Sequence, residues 1–226
     1  MMKKSSVVLI ALIAFVGQVW AQNPAKQSDD YKRAEARYHL GLKYNDISVS
    51  KAALYDMIAI DKEDYSLLDS LSYIYFDYQQ FASVALIGKQ ILAKYPNHLP
   101  ALEMSAIAFE NLGAIDLAIS NYESLYLKNN SLFTLYKVAS LQLQGKRYKE
   151  ALINLDAIIA NIEAETNPLE FPLDNNQTQR IPMKAAALNL KGLLYKETGE
   201  AAQAKSAFEA ALAIAPDFAA AKENMK

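Results

Sequence analysis

One pattern constrains this chain more than any other. A small residue is followed three places later by an aromatic one, and the pair recurs at long, nearly regular intervals. The pairs are Gly41 and Tyr44, Ser72 and Tyr75, Ala106 and Phe109, and Gly192 and Tyr195. Tyr44 to Tyr75 is 31 residues, Tyr75 to Phe109 is 34, and Phe109 to Tyr195 is 86, two further periods with 18 residues in excess. Self-similarity at this period marks stacked supersecondary units, none of which can bury its apolar face alone. One more unit is therefore expected between Phe109 and Tyr195, with an insertion of about the excess length.

The fullest unit lies near the C-terminus. Gly192 and Tyr195 share a first helix, and Thr198-Gly199 ends it, Gly being free to take the left-handed conformation a helix end favours. Ala204, Phe208 and Ala211 follow at spacings of four and three, one stripe of a second helix, and Pro216 stops that helix. This set resembles the tetratricopeptide repeat, in which two antiparallel helices touch at a small residue and an aromatic fills the remaining gap. Less complete versions are Ala106, Phe109, Gly113, Ala118 and Tyr122, and Leu71, Ser72, Tyr75, Phe81 and Pro96; in the latter, Val84 and Gly88 replace the usual Ala and aromatic. Gly145-Lys146-Arg147-Tyr148 reads as the turn of a further unit that is one residue short in its first half.

The resemblance implies an all-α, right-handed superhelical solenoid of antiparallel helix pairs. The units are expected at about 34–64, 65–98, 99–132, 133–166 and 185–218, after a leader at 22–33. Residues 167–184 carry Pro168, Pro172 and Pro182 and the turn signal Asp174-Asn175-Asn176, and are expected as an extended loop. Residues 219–226 are expected to begin a capping helix. Lys3 and Lys4, the uncharged run VVLIALIAFV at 7–16, and Val19 and Ala21 have the three-part form of a secretory signal, with cleavage expected between Ala21 and Gln22. The mature chain would then carry 21 basic and 25 acidic residues. No further apolar run is long enough to span a bilayer, so no stable membrane insertion is expected after cleavage. Export with this style of signal suggests the periplasm of a Gram-negative bacterium or the extracellular space.

Composition narrows the function. The 226 residues include no Cys, which removes disulfides, a lipid-bearing cysteine and thiol chemistry together. A net charge of −2 carries no electrostatic footprint for nucleic acid. His39 and His98 fall in different units without metal-ligand spacing, and there is no GxSxG, P-loop or GxGxxG. No catalytic, metal or cofactor site is expected. Glu103 and Glu110, two turns apart on one helix, form the best carboxylate pair for an enzymatic alternative, and their spacing is generic. A purely structural repeat or sensor-associated domain is a third reading.

The resemblance implies instead a concave groove lined by first helices. Its expected residues are Tyr38, Leu42 and Asn45 in the first unit; Asp69, Tyr73, Phe76 and Asp77 in the second; Glu103, Ile107 and Glu110 in the third; and Lys137, Leu141 and Gln144 in the fourth. Aromatics there would supply contact area, and the acids would favour a peptide or protein segment that is basic or apolar. The terminal-carboxylate clamp of the family's chaperone-binding branch is not implied, because Tyr38, Leu42 and Asp69 stand at its places. The expected role is a non-enzymatic adaptor or scaffold of the cell envelope.

Overall fold

A recurring left-handed residue sets the architecture. In the computed structural model, which describes residues 24–173 and 177–226, Asn45, Gln79, Gly113, Lys146 and Gly199 all have φ between 54° and 83°. Each joins a first helix to a second. In every case the next amide returns to a carbonyl five residues back: Asp46 N to Gly41 O at 2.7 Å, Gln80 N to Tyr75 O at 2.8 Å, Ala114 N to Phe109 O at 2.9 Å, Arg147 N to Gln142 O at 2.7 Å and Glu200 N to Tyr195 O at 2.8 Å. This bond satisfies a carbonyl that the helix end leaves open and reverses the chain. The left-handed residues are spaced by 34, 34, 33 and then 53 positions.

The described residues divide into two compact units, one ending at Lys62 and the other starting at Glu63. In the first, the short helix α1 (Pro24–Gln27) leads to α2 (Asp29–Lys43) and α3 (Ile47–Ile60), which pack together. Ser28 caps α2, its hydroxyl accepting from Tyr31 N at 3.1 Å, so helix begins five residues before the expected boundary at 34. Gly41 is buried because α3 approaches it: a Cβ there would lie 2.4 Å from Ser50 Oγ. The expected secretory signal lies outside the described residues.

The second unit holds α4 (Tyr65–Asp77) and α5 (Phe81–Lys94), α6 (Leu99–Asn111) and α7 (Ile115–Asn129), and α8 (Leu132–Gln144) and α9 (Tyr148–Ala160). A 3₁₀ turn (Ile162–Glu165), strands β1 (Pro168–Pro172) and β2 (Thr178–Pro182), α10 (Met183–Glu197), α11 (Ala201–Ile214) and α12 (Ala219–Asn224) complete it. Each helix packs on the next along the chain, and α4 also touches α6, as α8 touches α10. Its core is continuous in character. Val84, Met104 and Ala108 join α5 to α6; Leu102, Ile119, Tyr122, Val138 and Leu141 join α6, α7 and α8; Leu155, Leu194, Ala211 and Phe218 carry the core to the C-terminus. Each fully buried Leu, Ile or Phe contributes roughly 1.5–3 kcal/mol.

Two registers differ from the sequence reading. The first pair starts three residues earlier: Asn45 lies 34 before Gln79, so Gly41 occupies the place of Tyr75, and Tyr44 matches Tyr78, the residue ending α4. Tyr44 is accordingly 71% exposed rather than packed between helices. In the pair after α7, the missing residue lies before α8. Asn130 and Ser131 alone connect α7 to α8, where four residues, 95–98, connect α5 to α6. Ala139 and Gln142 therefore take the places of Ala106 and Phe109. Gln142 is 2% exposed, and its amide is satisfied by Glu123 Oε1 at 3.0 Å and by Asn154 Nδ2 at 2.8 Å, a polar filler where Tyr75, Phe109 and Tyr195 stand in three other pairs.

The segment expected as an extended loop is a docked antiparallel hairpin, with Leu169 opposite Ile181 and Phe171 opposite Gln179. Its prolines occupy the first or last place of a strand, where a missing amide donor costs least. Leu169 and Ile181 are buried in the C-terminal core, and the Phe171 ring meets Phe218 at 4.9 Å. Gln179 donates to Asp217 O at 2.6 Å and accepts from Ala219 N at 3.1 Å. Helix α10 then begins at Met183, inside the range assigned to the insertion.

The turn geometry yields a direct test. Lys146 adopts φ 59°, a conformation that costs a side-chain-bearing residue about 1–2 kcal/mol. Lys146→Gly removes that strain, partly offset by the added freedom of the unfolded chain. A net gain of about 0.5–1 kcal/mol is expected in urea unfolding; a loss would show that the lysine stabilises the turn.

Candidate functional site

The first helices present few free side chains. On α4, Tyr73 is 51% exposed and Asp77, one turn further on, is exposed; neither side chain makes a hydrogen bond or ion pair among the described residues. Glu103 is exposed on α6, the first helix against which α4 packs. Phe76 is half-buried and meets Phe81 edge-on at 6.0 Å, so it closes the α4–α5 corner. Ile107 is likewise half-buried against the α6–α7 core, and Gln144 is exposed at the end of α8.

The remaining charged residues expected in the groove, Asp69, Glu110 and Lys137, all have partners. Glu110 accepts from Lys137 Nζ at 2.7 Å, linking α6 to α8, and from the Tyr122 hydroxyl at 3.2 Å. The Lys137 ammonium lies 5.8 Å from the Tyr122 ring centre. Burial, then the Glu110 charge, raise the pKa of the Tyr122 hydroxyl well above its usual range, so it stays a proton donor. Asp69 faces His98 Nε2 at 3.3 Å. His98 Nδ1 accepts from Ala101 N at 3.2 Å and caps α6, which leaves the ring proton on Nε2, pointing at Asp69. Tyr65 stacks edge-on against His98 at 5.0 Å and lies 4.5 Å from Tyr95. His98 is thus a helix cap joined to an acid.

The register differences displace the expected residues of the first and fourth units. Leu141 is 3% exposed and belongs to the core of α6, α7 and α8, out of reach of a groove ligand. Lys137 is one place beyond the position that Asp69 and Glu103 occupy, ten residues before the left-handed turn; Tyr136 stands there on α8, and Ser140 stands where Tyr73 and Ile107 do. Tyr136 is half-buried, and burial holds its hydroxyl protonated. The two-residue link at Asn130-Ser131 was the signal that could have revealed this shift. In the first unit, Asn45 is the left-handed turn residue itself, Leu42 is 43% exposed, and Tyr38 is half-buried beside His39 at 5.3 Å between rings.

This arrangement offers contact area and a few charges. Among the described residues, no three His, Asp or Glu side chains gather as a metal-binding group. No described helix is long and apolar enough to cross a membrane.

The fold is that of tetratricopeptide-repeat proteins. A tetratricopeptide repeat protein from Parabacteroides merdae superposes with a TM-score of 0.63 over 88% of this chain and 72% of its own, at 17% identity. YrrB, described as a tetratricopeptide-repeat protein with an unusual peptide-binding site, gives 0.65 over 87% and 97%, at 14% identity. MamA gives 0.63 over 82% and 91%, at 14% identity. No family model and no curated protein sequence matches the chain.

Burial raises the pKa of Asp69, opposed by His98. A carboxyl whose folded pKa is raised binds its proton more tightly when folded, so its contribution to stability falls as pH rises through that pKa. Asp69→Asn keeps an oxygen acceptor for His98 and removes this slope. The variant is expected to be more stable than the parent at pH 7 and to lose that advantage toward pH 3. Urea midpoints at both values check this, and an advantage that grows on acidification would refute it.

Proposed function

We propose that this chain is an exported, non-enzymatic scaffold of the cell envelope that holds a peptide or protein segment against the first helices α4, α6 and α8. The observation that carries the reading is Tyr73. A large aromatic with a free hydroxyl stands exposed on a first helix, with unpaired Asp77 beside it and exposed Glu103 on the adjacent first helix. Such a side chain offers much contact area for little ordering cost. The fold supports the reading, since its structural neighbours include a protein described by its peptide-binding site.

The charges left free on these helices suggest the partner's character. Asp69 and Glu110 already face His98 and Lys137, so the free acids are Asp77 and Glu103. A basic partner segment would meet two carboxylates rather than a continuous acidic floor. A compact apolar contact at Tyr73 flanked by one or two basic residues fits best.

The test uses crosslinked envelope partners of the processed chain in its native host. Tyr73→Ala with Asp77→Lys is expected to lower recovery of the main partner by about tenfold, because an exposed aromatic anchor and a complementary charge are lost together. A folded double variant that keeps every partner rules out this face.

Export is tested separately. The mature protein is expected to lack residues 1–21 by intact mass and to fractionate outside the cytoplasm. A full-length chain found in the cytoplasm would overturn that part of the proposal.

A further inference from the structure

A second surface lies on the other helices of the pairs. An apolar trough of about 750 Å³ runs between α5 and α7, with α6 as its floor. Ala85 and Leu86 line one wall, Leu117 the other, and Phe109 the floor. The wall of α5 is low because small residues recur on it: Ala82, Ala85 and Ala93. Gly88 stands where Tyr122, Leu155 and Phe208 fill the corresponding place in other pairs, and a Cβ at Gly88 would fall 1.9 Å from Ser105 Oγ.

Two polar features single this trough out. The Ser105 hydroxyl lines it, is 1% exposed, and has no hydrogen-bond partner. A buried unsatisfied hydroxyl costs roughly 1–3 kcal/mol and calls for an acceptor. Lys89 is the one charged residue of the lining and makes no ion pair among the described residues. The occupant should therefore be apolar along its length and bring an acceptor and a negative charge.

The shape selects among such occupants. Leu86 is 70% exposed, Leu117 51% and Leu112 49%, so the rim stands open to solvent. A small amphiphile bound there could not bury most of its own surface, as small-molecule sites require. From Ala82 to Ala93 the α5 wall is about 16 Å long at 1.5 Å per residue, three helical turns. An open trough between helices, three turns long, matches a helix laid in a groove.

We propose that the α5–α6–α7 trough docks an amphipathic helix of a protein partner, with apolar side chains at i, i+4 and i+7 facing Leu86, Phe109 and Leu117 and an acidic side chain beside Lys89. This site is separate from the face of Tyr73 and does not depend on it.

The test selects displayed peptides of about 20 residues, beyond the length at which isolated helices are marginal, on the purified chain. Enriched sequences are expected to share the apolar stripe and an Asp or Glu at one position. The best synthetic peptide should lose about tenfold or more in affinity on Leu86→Arg, and Lys89→Glu should shift preference about tenfold toward a peptide whose acid is replaced by Lys. Tyr73→Ala should leave binding unchanged, which separates this proposal from the preceding one. Both trough variants sit at the surface, and circular dichroism confirms their folding. The proposal is overturned by failure to enrich such a stripe, by peptides that bind folded Leu86→Arg equally well, by peptides that depend on Tyr73, or by dodecanoate saturating the trough when no peptide does.

Discussion

The rest of the structure depends on one backbone device, the left-handed residue whose following amide returns to a carbonyl five places back. It closes the first helix, satisfies a carbonyl that would otherwise be left open, and turns the chain so that the second helix runs back along the first. Because it recurs at a nearly constant interval, each pair presents the same faces at the same places. Gly113 and Gly199 take the conformation freely, Asn45 takes it with help from its short polar side chain, and Gln79 and Lys146 take it at a cost the surrounding packing must cover.

Close approach of the helices follows from that turn and from complementary side-chain volume. Gly192 lets the Phe208 ring come within 2.4 Å of the point where a Cβ would stand, so a small residue on one helix accommodates a large one on the other. Elsewhere the same space is closed differently. Gly88 lets α5 close on Ser105 of the next pair, and Gln142 replaces an aromatic with an amide bonded on both sides. The first substitution removes bulk and accompanies an open trough beside it. The second keeps the space filled without an exposed opening.

Much of this was legible in the sequence. The period, the small residues at helix contacts, the turn at Thr198-Gly199 and the stop at Pro216 follow from local chemistry that acts within a few residues. The candidate face was legible only in part. Counting along the period led to Tyr73, Asp77 and Glu103, which are exposed on first helices, but also to Leu141, which is buried, and to Asn45, which is the turn residue. Phase was the reason. A spacing of 31 looked like a short repeat because Gly41-Leu42-Lys43-Tyr44 imitates the small-plus-aromatic pair, and the residue missing at Asn130-Ser131 shifted every position on α8. One residue on a helix turns a side chain by about 100°, enough to exchange core for surface.

By itself, then, the sequence determined the helical pairs, their number and their approximate phase, because turn conformation and apolar periodicity are properties of short segments. Tertiary structure alone decided which charges remain free. His98 is bound both to the end of α6 and to Asp69, and Glu110 is held by residues 12 and 27 positions away. It also decided that three prolines would frame a docked hairpin, because Leu169 and Ile181 find a core that exists only once α10, α11 and α12 have assembled. Pairing of charges and burial of strand faces depend on distance in space, which a period along the chain does not encode.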